Sequence, residues 1–488
     1  MSNFKKLLIP AIVLIILVAA YVIVQNLPQK EEEDTTPAAE TIQIFDFVKD
    51  DIEEIRIDNR DEPLWFRYTA IQVEEEETKE DGTVEKKLVD RKVWQAVQPE
   101  GMKVNSSSVD SIAWNANTLK AQKIIEENPS DLSVFGLDNP VKLIFIMKDR
   151  TEHNLFVGNE TPTKGAFYVR KNDEPVVYTI NSYEAGKFLQ TKFDLMVKDI
   201  YTKTYEYDNF ASISFIRKGN KVFDAGIDEE KTWWLSYPIE AEARSENLYT
   251  ITQALTEITV SEYIEENAED LQKYGLVNPS YIFEYSVGGE GYKLALGNKA
   301  PDGGGFYAVL NNENLVFTVS DSNFTFLDKP IEEIVSSFVH LQNIADVSGL
   351  RVTLDGRTHI SKINVDSDDE DKSTYEFNGI LLTGDEDSDY ISAFKKYYQG
   401  AIGLLVNKIV LDVEPLPENP EVSVEYTLKN GEKILIELVS TPDNISYYAL
   451  KNGKYTGITL RKAQLNDESF GGLRYTYNQL VEKLKERN

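Results

Sequence analysis

Histidine, the side chain most often used for acid–base chemistry and metal binding near neutral pH, occurs only three times in the 488-residue chain. His153, His340 and His359 have no spacing that would form a shared metal site or place a base beside a nucleophile. Cysteine is absent, which excludes disulfides, thiolate metal sites and a lipid-modified cysteine anchor. The sequence therefore predicts no catalytic residue, no cofactor and no bound metal ion.

Acidic residues alternate in one stretch in the way that calcium ligands do. Asp366, Asp368 and Glu370 have this spacing, but Asp371 stands where an EF-hand loop has glycine. Phe377 stands where that loop has its bidentate glutamate. We therefore interpret this stretch as a solvated loop.

Three other stretches resemble sites but lack essential parts. The acidic run at 385–389 has Tyr390 and Lys396 at the glycine and glutamate positions of a calcium loop, so we interpret it too as a solvated loop. Segments 288–291 and 303–305 are glycine-rich without the lysine and helix of a phosphate loop, and we predict hairpin turns there. No pair among the 82 acidic residues is marked as the carboxylate pair of a glycoside hydrolase.

Aromatic residues are candidates for lining a groove that binds a sugar or a peptide, although such residues more often pack in a core. Two adjacent aromatic residues in a strand point to opposite faces, so we expect Phe167 and Tyr168 to differ in exposure, and likewise Phe306 and Tyr307. The candidates are Trp94, Trp233, Trp234, Phe167, Tyr168, Phe306 and Tyr307.

The charge of the chain excludes one class of partner. It has 82 acidic and 51 basic residues, a formal net charge of -31. A surface this acidic repels phosphate backbones, so we predict no nucleic-acid binding. The hydrophobic fraction of 41% and the length indicate several domains, each with its own core.

A tandem duplication organises most of the chain. Segments 92–180 and 231–319 match at a constant offset of 139 residues, and a segment of this length can hold its own hydrophobic core. The histidines lie outside the shared pattern, since His153 corresponds to Tyr292 and His340 to Tyr201. The shared positions, which we predict to be a structural motif, include Trp94, Gly136, Pro140, Gly158 and Tyr168 in the first copy and Trp233, Gly275, Pro279, Gly297 and Tyr307 in the second.

Each copy predicts an α+β domain, in which one antiparallel sheet carries one main packed helix. Polar residues at 105–108 and 244–247 offer helix N-caps. The predicted core-facing stripe of the helix consists of Ile112, Leu119 and Ile124 in the first copy and Leu248, Ile251 and Leu255 in the second. A second short helix is predicted near 183–197.

After each main helix comes a shared string, 131–140 or 270–279, in which a helical turn ends at a glycine and a proline. Four short strands follow at 143–147, 154–157, 166–169 and 176–180, with equivalents 139 residues later, and short connections predict antiparallel pairing. Gly158 and Gly297, each followed by asparagine, are predicted to be turn residues between the second and third of these strands.

A third copy is eroded. Its tyrosine pair, Tyr447 and Tyr448, follows Phe167 and Tyr168 by 280 residues, but Leu416 and Leu438 replace the glycines. We predict repeat module 1 at 41–200, module 2 at 201–344 and a degenerate module 3 at 345–488. Module 1 carries an inserted acidic hairpin at about 72–91, with a turn at 81–82.

The N-terminus predicts a membrane anchor. Residues 7–24 contain no charge, and the apolar segment 7–27 is long enough to cross a bilayer. Lysines precede this segment within the short N-terminus 1–6, and an acidic tether at 28–40 follows it, so the N-terminus is predicted to be cytoplasmic and the bulk of the chain extracytoplasmic. The alternative is a cleaved signal peptide, since residues 18–20 are small.

The string 131–140, Gly158 and the strand with Phe167 and Tyr168 resemble the bacterial family called domain of unknown function 4340, over most of the chain after the apolar segment. The resemblance implies a fold with a single N-terminal membrane helix. It also implies an extracytoplasmic accessory role, because members tend to be encoded beside components of ABC transporters. No catalytic residues are established for the family, so the resemblance assigns none to this chain.

The function that follows is a membrane-anchored extracytoplasmic binding or scaffold protein, an accessory component of an ABC-type transport or envelope-assembly system, with a permease or auxiliary subunit as partner. Two alternatives stay open. One is an enzyme that acts on cell-wall glycan through an unrecognised carboxylate pair, and the other is a structural stalk that binds the wall.

Overall fold

A computed structural model describes residues 42–59, 62–78, 84–201, 203–367, 369–413 and 419–487. The predicted N-terminus, anchor and tether at 1–6, 7–27 and 28–40, and the predicted turn at 81–82, lie outside these residues. Within the described ranges, no helix is both long enough and apolar enough to cross a membrane. The chain divides into two compact units, of which the first ends at Val197 and the second begins at Lys198.

The first unit contains ten strands and two α-helices within the described ranges. Its strands are β1 (Ile42–Gln43), β2 (Ile52–Asp58), β3 (Leu64–Thr78), β4 (Val84–Gln98), β5 (Lys120–Ala121), β6 (Lys123–Glu126), β7 (Val141–Met147), β8 (Glu152–Glu160), β9 (Ala166–Lys171) and β10 (Val177–Asn181). Its helices are α1 (Ser106–Thr118) and α2 (Ser182–Phe188).

The second unit contains two further sets of strands. The earlier set, with helix α3 (Ser245–Thr256), is β11 (Phe210–Arg217), β12 (Asn220–Ile227), β13 (Trp233–Tyr237), β14 (Ala241–Glu242), β15 (Glu262–Glu265), β16 (Tyr281–Val287), β17 (Glu290–Lys299), β18 (Phe306–Leu310) and β19 (Val316–Val319). The later set, with helices α4 (Ser388–Ile402) and α5 (Leu473–Lys485), is β20 (Val347–Leu354), β21 (Arg357–Asn364), β22 (Thr374–Phe377), β23 (Ile380–Thr383), β24 (Lys408–Ile409), β25 (Val422–Leu428), β26 (Lys433–Ser440), β27 (Ser446–Lys451) and β28 (Lys454–Arg461).

Three large antiparallel sheets share one strand order. Sheet 1 runs β4-β3-β2-β7-β8-β9-β10-β6, sheet 2 runs β14-β13-β12-β11-β16-β17-β18-β19-β15, and sheet 3 runs β23-β22-β21-β20-β25-β26-β27-β28-β24. In each, a first meander is followed by a helix and a strand at the far edge, and a second meander then returns beside the first strand. The fold is therefore α+β with repeated antiparallel sheets, and β1 and β5 form a fourth small sheet.

One main helix packs on one face of each sheet, here called the inner face, and on sheet 3 helix α5 packs there beside α4, since its Tyr477 contacts His359 of β21. In sheet 1 the helix is α1, whose N-cap Asn105 accepts a hydrogen bond from the Ser108 backbone at 3.2 Å. Its buried residues include Val109 and Ile112, which pack on Phe145 and other inner-face residues. The predicted stripe is confirmed for α3 and for Ile112, but Ile124 lies in β6 and is 45% exposed.

The segment between the far-edge strand and the second meander, here called the repeat loop, folds onto the other face of the sheet. In sheet 1 this loop spans 127–140, and its Phe135 and Leu137 pack with Tyr168 on that face. In sheet 2 it spans 266–280, and Tyr274 and Leu276 occupy the same place. Each repeat loop thus builds a second, smaller core.

Two glycines and an asparagine hold each repeat loop in place. Gly136 ends a short 3₁₀ turn at φ 68°, and a side chain there would overlap that of Asn159. A side chain at Gly158 would overlap the carbonyl oxygen of Phe135. Gly275 and Gly297 meet the equivalent groups in sheet 2. The loop can approach the strand only because both glycines lack a β-carbon.

The prediction that Gly158 and Gly297 lie in turns is wrong. Both lie inside strands, β8 and β17, at places where the pairing register with the next strand shifts. The shift is a β-bulge, in which an unpaired residue bends the strand toward the repeat loop. In sheet 3 the predicted match of Leu438 to the glycine is wrong, because Leu438 pairs as Val157 does. The single residue Val439 faces Tyr448 where Gly158 and Asn159 face Tyr168, and β26 pairs with β27 from Ile436 to Ser440 without a shift. The glycine and the bulge therefore occur together, in sheets 1 and 2 and not in sheet 3.

Beyond the sheet, β3 and β4 continue as a two-stranded arm. Strand β2 pairs with β3 only as far as Arg67, whereas β3 and β4 pair with each other out to Thr78 and Val84. At the usual rise per residue, the ten residues of β3 beyond Tyr68 extend about 34 Å. The arm contains the described residues of the predicted insert, and the matching strands β12 and β13 have no such extension.

Replacement of Gly158 by alanine should destabilise the first unit. We expect Gly158→Ala to lower its free energy of unfolding by about 1–3 kcal/mol, because the added methyl group forces the Phe135 carbonyl away from β8. Gly186→Ala in α2 is the matched control, since its methyl group would meet nothing within 4 Å. Urea unfolding followed by tryptophan fluorescence measures both. Equal stability of the two variants would contradict the packing described here.

Candidate functional site

The ten residues predicted as a structural motif serve the scaffold and do not gather into a site. Trp94 and Trp233 are buried, and the Trp94 indole donates to Asp110 of α1 at 3.3 Å. The motif glycines hold the repeat loops, and Pro140 and Pro279 end those loops just before β7 and β16. Tyr168 packs on Phe135 and Tyr307 on Tyr274, with ring centroids 5.1 and 4.8 Å apart.

The adjacent aromatic residues point to opposite faces, as strand geometry requires. Phe306 is buried and Tyr307 is half-buried, so the expected difference in exposure is confirmed in sheet 2. In sheet 1 the expectation is wrong, because Phe167 and Tyr168 are both half-buried. The reason is that Phe167 packs in the main core while Tyr168 packs under the repeat loop.

The three histidines lie apart and pack against aromatic rings. His153 lies 5.0 Å from Phe47 and His359 lies 4.4 Å from Tyr477, measured between ring centroids. Burial lowers the pKa of His153 and His359, and burial lowers that of His340 to about 4. Among the residues that the structure describes, no three His, Cys, Asp or Glu side chains are arranged to hold a metal ion.

The acidic run at 385–389 is a helix start, and the prediction of a solvated loop is wrong for it. Asp387 is only 6% exposed and immediately precedes α4. Its carboxylate accepts hydrogen bonds from the Thr383 backbone and from Arg487, both at 3.0 Å. In the other run, Asp366 accepts from the Asp369 backbone at 3.1 Å, while Asp368 lies outside the described residues.

One serine contacts a lysine, as in some hydrolases. Ser440 Oγ contacts Lys462 Nζ and donates to the Glu421 carboxylate at 2.5 Å. Lys462 also pairs with Glu421 at 3.0 Å and contacts Asn444, so its ammonium group is held by acceptors and is poorly placed to act as a base. The cluster is a surface ion-pair network.

The faces opposite the helices, here called outer faces, differ most among the three sheets. Because the strand order is shared, equivalent rows of residues run across them. Cross-strand pairing defines a central row in each sheet, and the rows are Gln95, Arg67, Glu54, Ile146 and Glu152 in sheet 1, Trp234, Gly226, Ser212, Ser286 and Gly291 in sheet 2, and Glu376, Lys362, Gly349, Thr427 and Lys433 in sheet 3.

Large charged side chains fill the row of sheet 1. Glu54 is 3% exposed, accepts from Arg67 at 3.0 Å and Arg56 at 3.1 Å, and accepts from the Trp65 indole at 3.0 Å. Burial acts to raise the pKa of Glu54, but the hydrogen bonds from Arg67 and Arg56 outweigh it and hold that pKa below its ordinary value. Arg56 also lies 4.4 Å over the Trp65 ring. Both oxygens of the Glu54 carboxylate therefore accept hydrogen bonds from side chains of this face.

Sheet 3 has long charged side chains toward both ends of its row, with the small residues Gly349 and Thr427 between them. Lys362 pairs with Glu376 at 3.0 Å, and Lys433 pairs with Glu425 in the neighbouring row at 3.1 Å. Long side chains therefore bridge neighbouring strands on the outer faces of both sheet 1 and sheet 3.

Sheet 2 has serine and glycine in the same row, which leaves an open trough. The trough is a shallow cleft of about 790 Å³, whose lining includes Ser212, Gly226, Ser286 and Gly291. Trp234 occupies one end of the row and is 41% exposed. The missing side-chain volume, together with an exposed indole, distinguishes this face from those of sheets 1 and 3.

Charged residues form the neighbouring row of the trough. It consists of Asp224, Ser214, Glu284 and Lys293 in cross-strand order, with Asn311 beyond it. Asp224 pairs with Lys221 at 2.7 Å, and Glu284 pairs with Lys293 at 3.1 Å. Each carboxylate is therefore held by a lysine ammonium group and has oxygen lone pairs left to accept further hydrogen bonds. Such an arrangement suits binding of a polar ligand.

No motif in the sequence marks the trough, because serine and glycine in strands match none. Only Trp234 was singled out, as one of several aromatic candidates. An alignment of the copies by their strand pairing reveals the trough, because Glu54, Arg67 and Ile146 of sheet 1 correspond to small residues in sheet 2.

Removal of Arg67 should destabilise the first unit in a pH-dependent way. Because the pKa of Glu54 is lower in the folded chain than in the unfolded chain, its ion pairs stabilise the fold above the unfolded pKa and lose this effect as pH falls through the folded pKa. We expect Arg67→Gln to lower the free energy of unfolding by about 1–2 kcal/mol at neutral pH and by less in acid. Urea unfolding across this pH range measures the difference.

The control is Arg150→Gln, which removes an exposed partner of Glu53 at 3.3 Å. A pair of this kind contributes at most about 1 kcal/mol. An equal loss in both variants at neutral pH, or a loss for Arg67→Gln that does not change with pH, would contradict the role given to Glu54.

Comparisons with known proteins identify the family. The family model described as Domain of unknown function (DUF4340) matches residues 94–242 and 233–397, which together span more than half of the chain. The two matches fall on the two copies that carry the glycine-held repeat loop. No curated protein and no solved structure matches the chain. The chain therefore belongs to the DUF4340 family.

Proposed function

We propose that this protein is a membrane-anchored extracytoplasmic binding protein, an accessory component of an ABC-type transport or envelope-assembly system. The observation that carries the binding role is the trough on sheet 2. The three large sheets share one strand order, yet only sheet 2 has a central row made of serine and glycine, with an exposed tryptophan at one end.

Conserved packing and divergent outer faces are what a binding scaffold requires. The motif residues are used to hold helices, bulges and repeat loops, so they are not available to a ligand. The outer faces do not contribute to the main cores and are free to change from copy to copy. A repeated fold with one altered face fits recognition of a ligand better than catalysis, since both trough carboxylates are paired with lysine.

The proposed location rests on the sequence before residue 41. The uncharged stretch 7–24, the lysines before it and the acidic tether after it support an anchor with the folded part outside. The proposed partner rests on the resemblance to a family whose members tend to be encoded beside ABC transporter components.

The intact protein, isolated from its own membranes in mild detergent, should co-purify with a permease or an auxiliary transport subunit. The same chain beginning at residue 41 is the control and should lose this partner, because it lacks the proposed anchor. Mass spectrometry of the two preparations measures the difference. Equal recovery of the partner would contradict the anchored arrangement. Hydrolysis of wall fragments that is abolished by Asp224→Asn or Glu284→Gln would instead support an enzyme.

A further inference from the structure

We propose that the trough on sheet 2 binds a neutral, hydroxyl-rich glycan chain, an inference that rests on the binding function proposed above. The trough crosses the strands instead of following them. Its row from Trp234 to Gly291 passes over five strands, so it is about 19 Å long at the usual strand spacing. A groove of this length accommodates a chain of several sugar rings.

The floor of the trough is made for a ligand that lies flat. Gly226 and Gly291 have no side chain, and Ser212 and Ser286 have short ones. Together they leave a cleft of about 790 Å³ where sheet 1 has the Arg67, Glu54 and Ile146 side chains. The serine hydroxyls at this floor can both donate and accept hydrogen bonds, as sugar hydroxyls do.

Trp234 supplies the flat apolar surface that sugar recognition uses. It stands at one end of the row, paired across the strands with Gly226, which cannot cover it. It is 41% exposed and stands beside the cleft, next to Gly226 of the lining. The C–H face of a pyranose ring packs on such an indole, while the hydroxyls at the ring edge stay free for polar contacts.

Charge selects among glycans. Asp224 and Glu284 flank the trough as acceptors for hydroxyl or amide N–H groups. Both carboxylates are paired with lysine, so repulsion of an anionic glycan comes from the net charge of -31. The hydroxyl groups of a neutral chain can donate hydrogen bonds to these two carboxylates. N-acetyl groups add amide N–H groups that can donate to them as well.

A peptide is a poorer fit. Peptides that bind to sheets usually add a strand at an open edge, where backbone groups are unpaired. The row of the trough lies on β13, β12, β11, β16 and β17, which are paired with one another in the interior of sheet 2. Recognition there depends on side chains, and those that line the trough include hydroxyl, carboxylate and amide groups and the Lys293 ammonium group, with the Trp234 indole beside them.

The full-length protein should bind a β-1,4-linked hexamer of N-acetylglucosamine, measured by calorimetry. We expect Trp234→Ala to weaken binding about tenfold or more, through loss of the stacking surface. A filled variant, Ser212→Glu with Gly226→Arg and Ser286→Ile, transplants the sheet 1 residues and should abolish binding. Controls are Trp114→Ala, at a tryptophan that is 58% exposed on α1, and Thr427→Ile, at the sheet 3 position equivalent to Ser286.

Binding of cellohexaose at comparable strength would also support the proposal, with the N-acetyl groups unused. Tighter binding of polygalacturonate than of either neutral hexamer would overturn it, as would unchanged affinity in Trp234→Ala. Binding of neither neutral hexamer, while the intact protein still co-purifies with its transport partner, would overturn the glycan assignment and leave the proposed function standing. Loss of that partner in the filled variant would assign the trough to a protein instead.

Discussion

The contact between the repeat loop and the bulged strand is the interaction on which the second core of sheets 1 and 2 depends. A sheet of eight or nine strands has two faces, and the packed helices cover only the inner one. The repeat loop covers part of the other face, and it can do so only where a glycine in the loop meets a glycine and an asparagine in the strand. This contact leaves the rest of the outer face open, and there the sheets differ.

Sheet 3 shows what happens when the glycines are replaced. Val439 stands where sheet 1 has Gly158 and Asn159, and it is buried in a strand that pairs without a bulge. Tyr447 is buried as well. The strand order survives, so the order is determined by the hydrophobic alternation of the strands and by short connections. The glycines determine how the repeat loop packs on the sheet, and they do not determine the strand order.

Much of the scaffold could be predicted from the sequence, because a repeated pattern appears twice at one offset. Antiparallel strands, the cap at Asn105 and the glycine that ends the turn at Gly136 follow from local rules of backbone geometry. Ile124 and Gly158 were misplaced because apolar periodicity does not distinguish a helix end from a strand, and glycine signals a bulge as readily as a turn. The trough could not be predicted, because it is formed by small side chains. Their significance is seen only when strand pairing shows which large residues occupy the equivalent positions in sheet 1.

The arm formed by β3 and β4 has a consequence for how copies of this protein behave together. Beyond Tyr68 and Trp94, the outward backbone groups of both strands run for about 34 Å without another strand beside them in the described structure. Such edges are templates for pairing with a second chain. Mutual repulsion between molecules of charge -31 opposes that pairing, and dissolved salt weakens repulsion between exposed charges. Ionic strength is therefore the variable that governs whether the arms of neighbouring molecules stay apart.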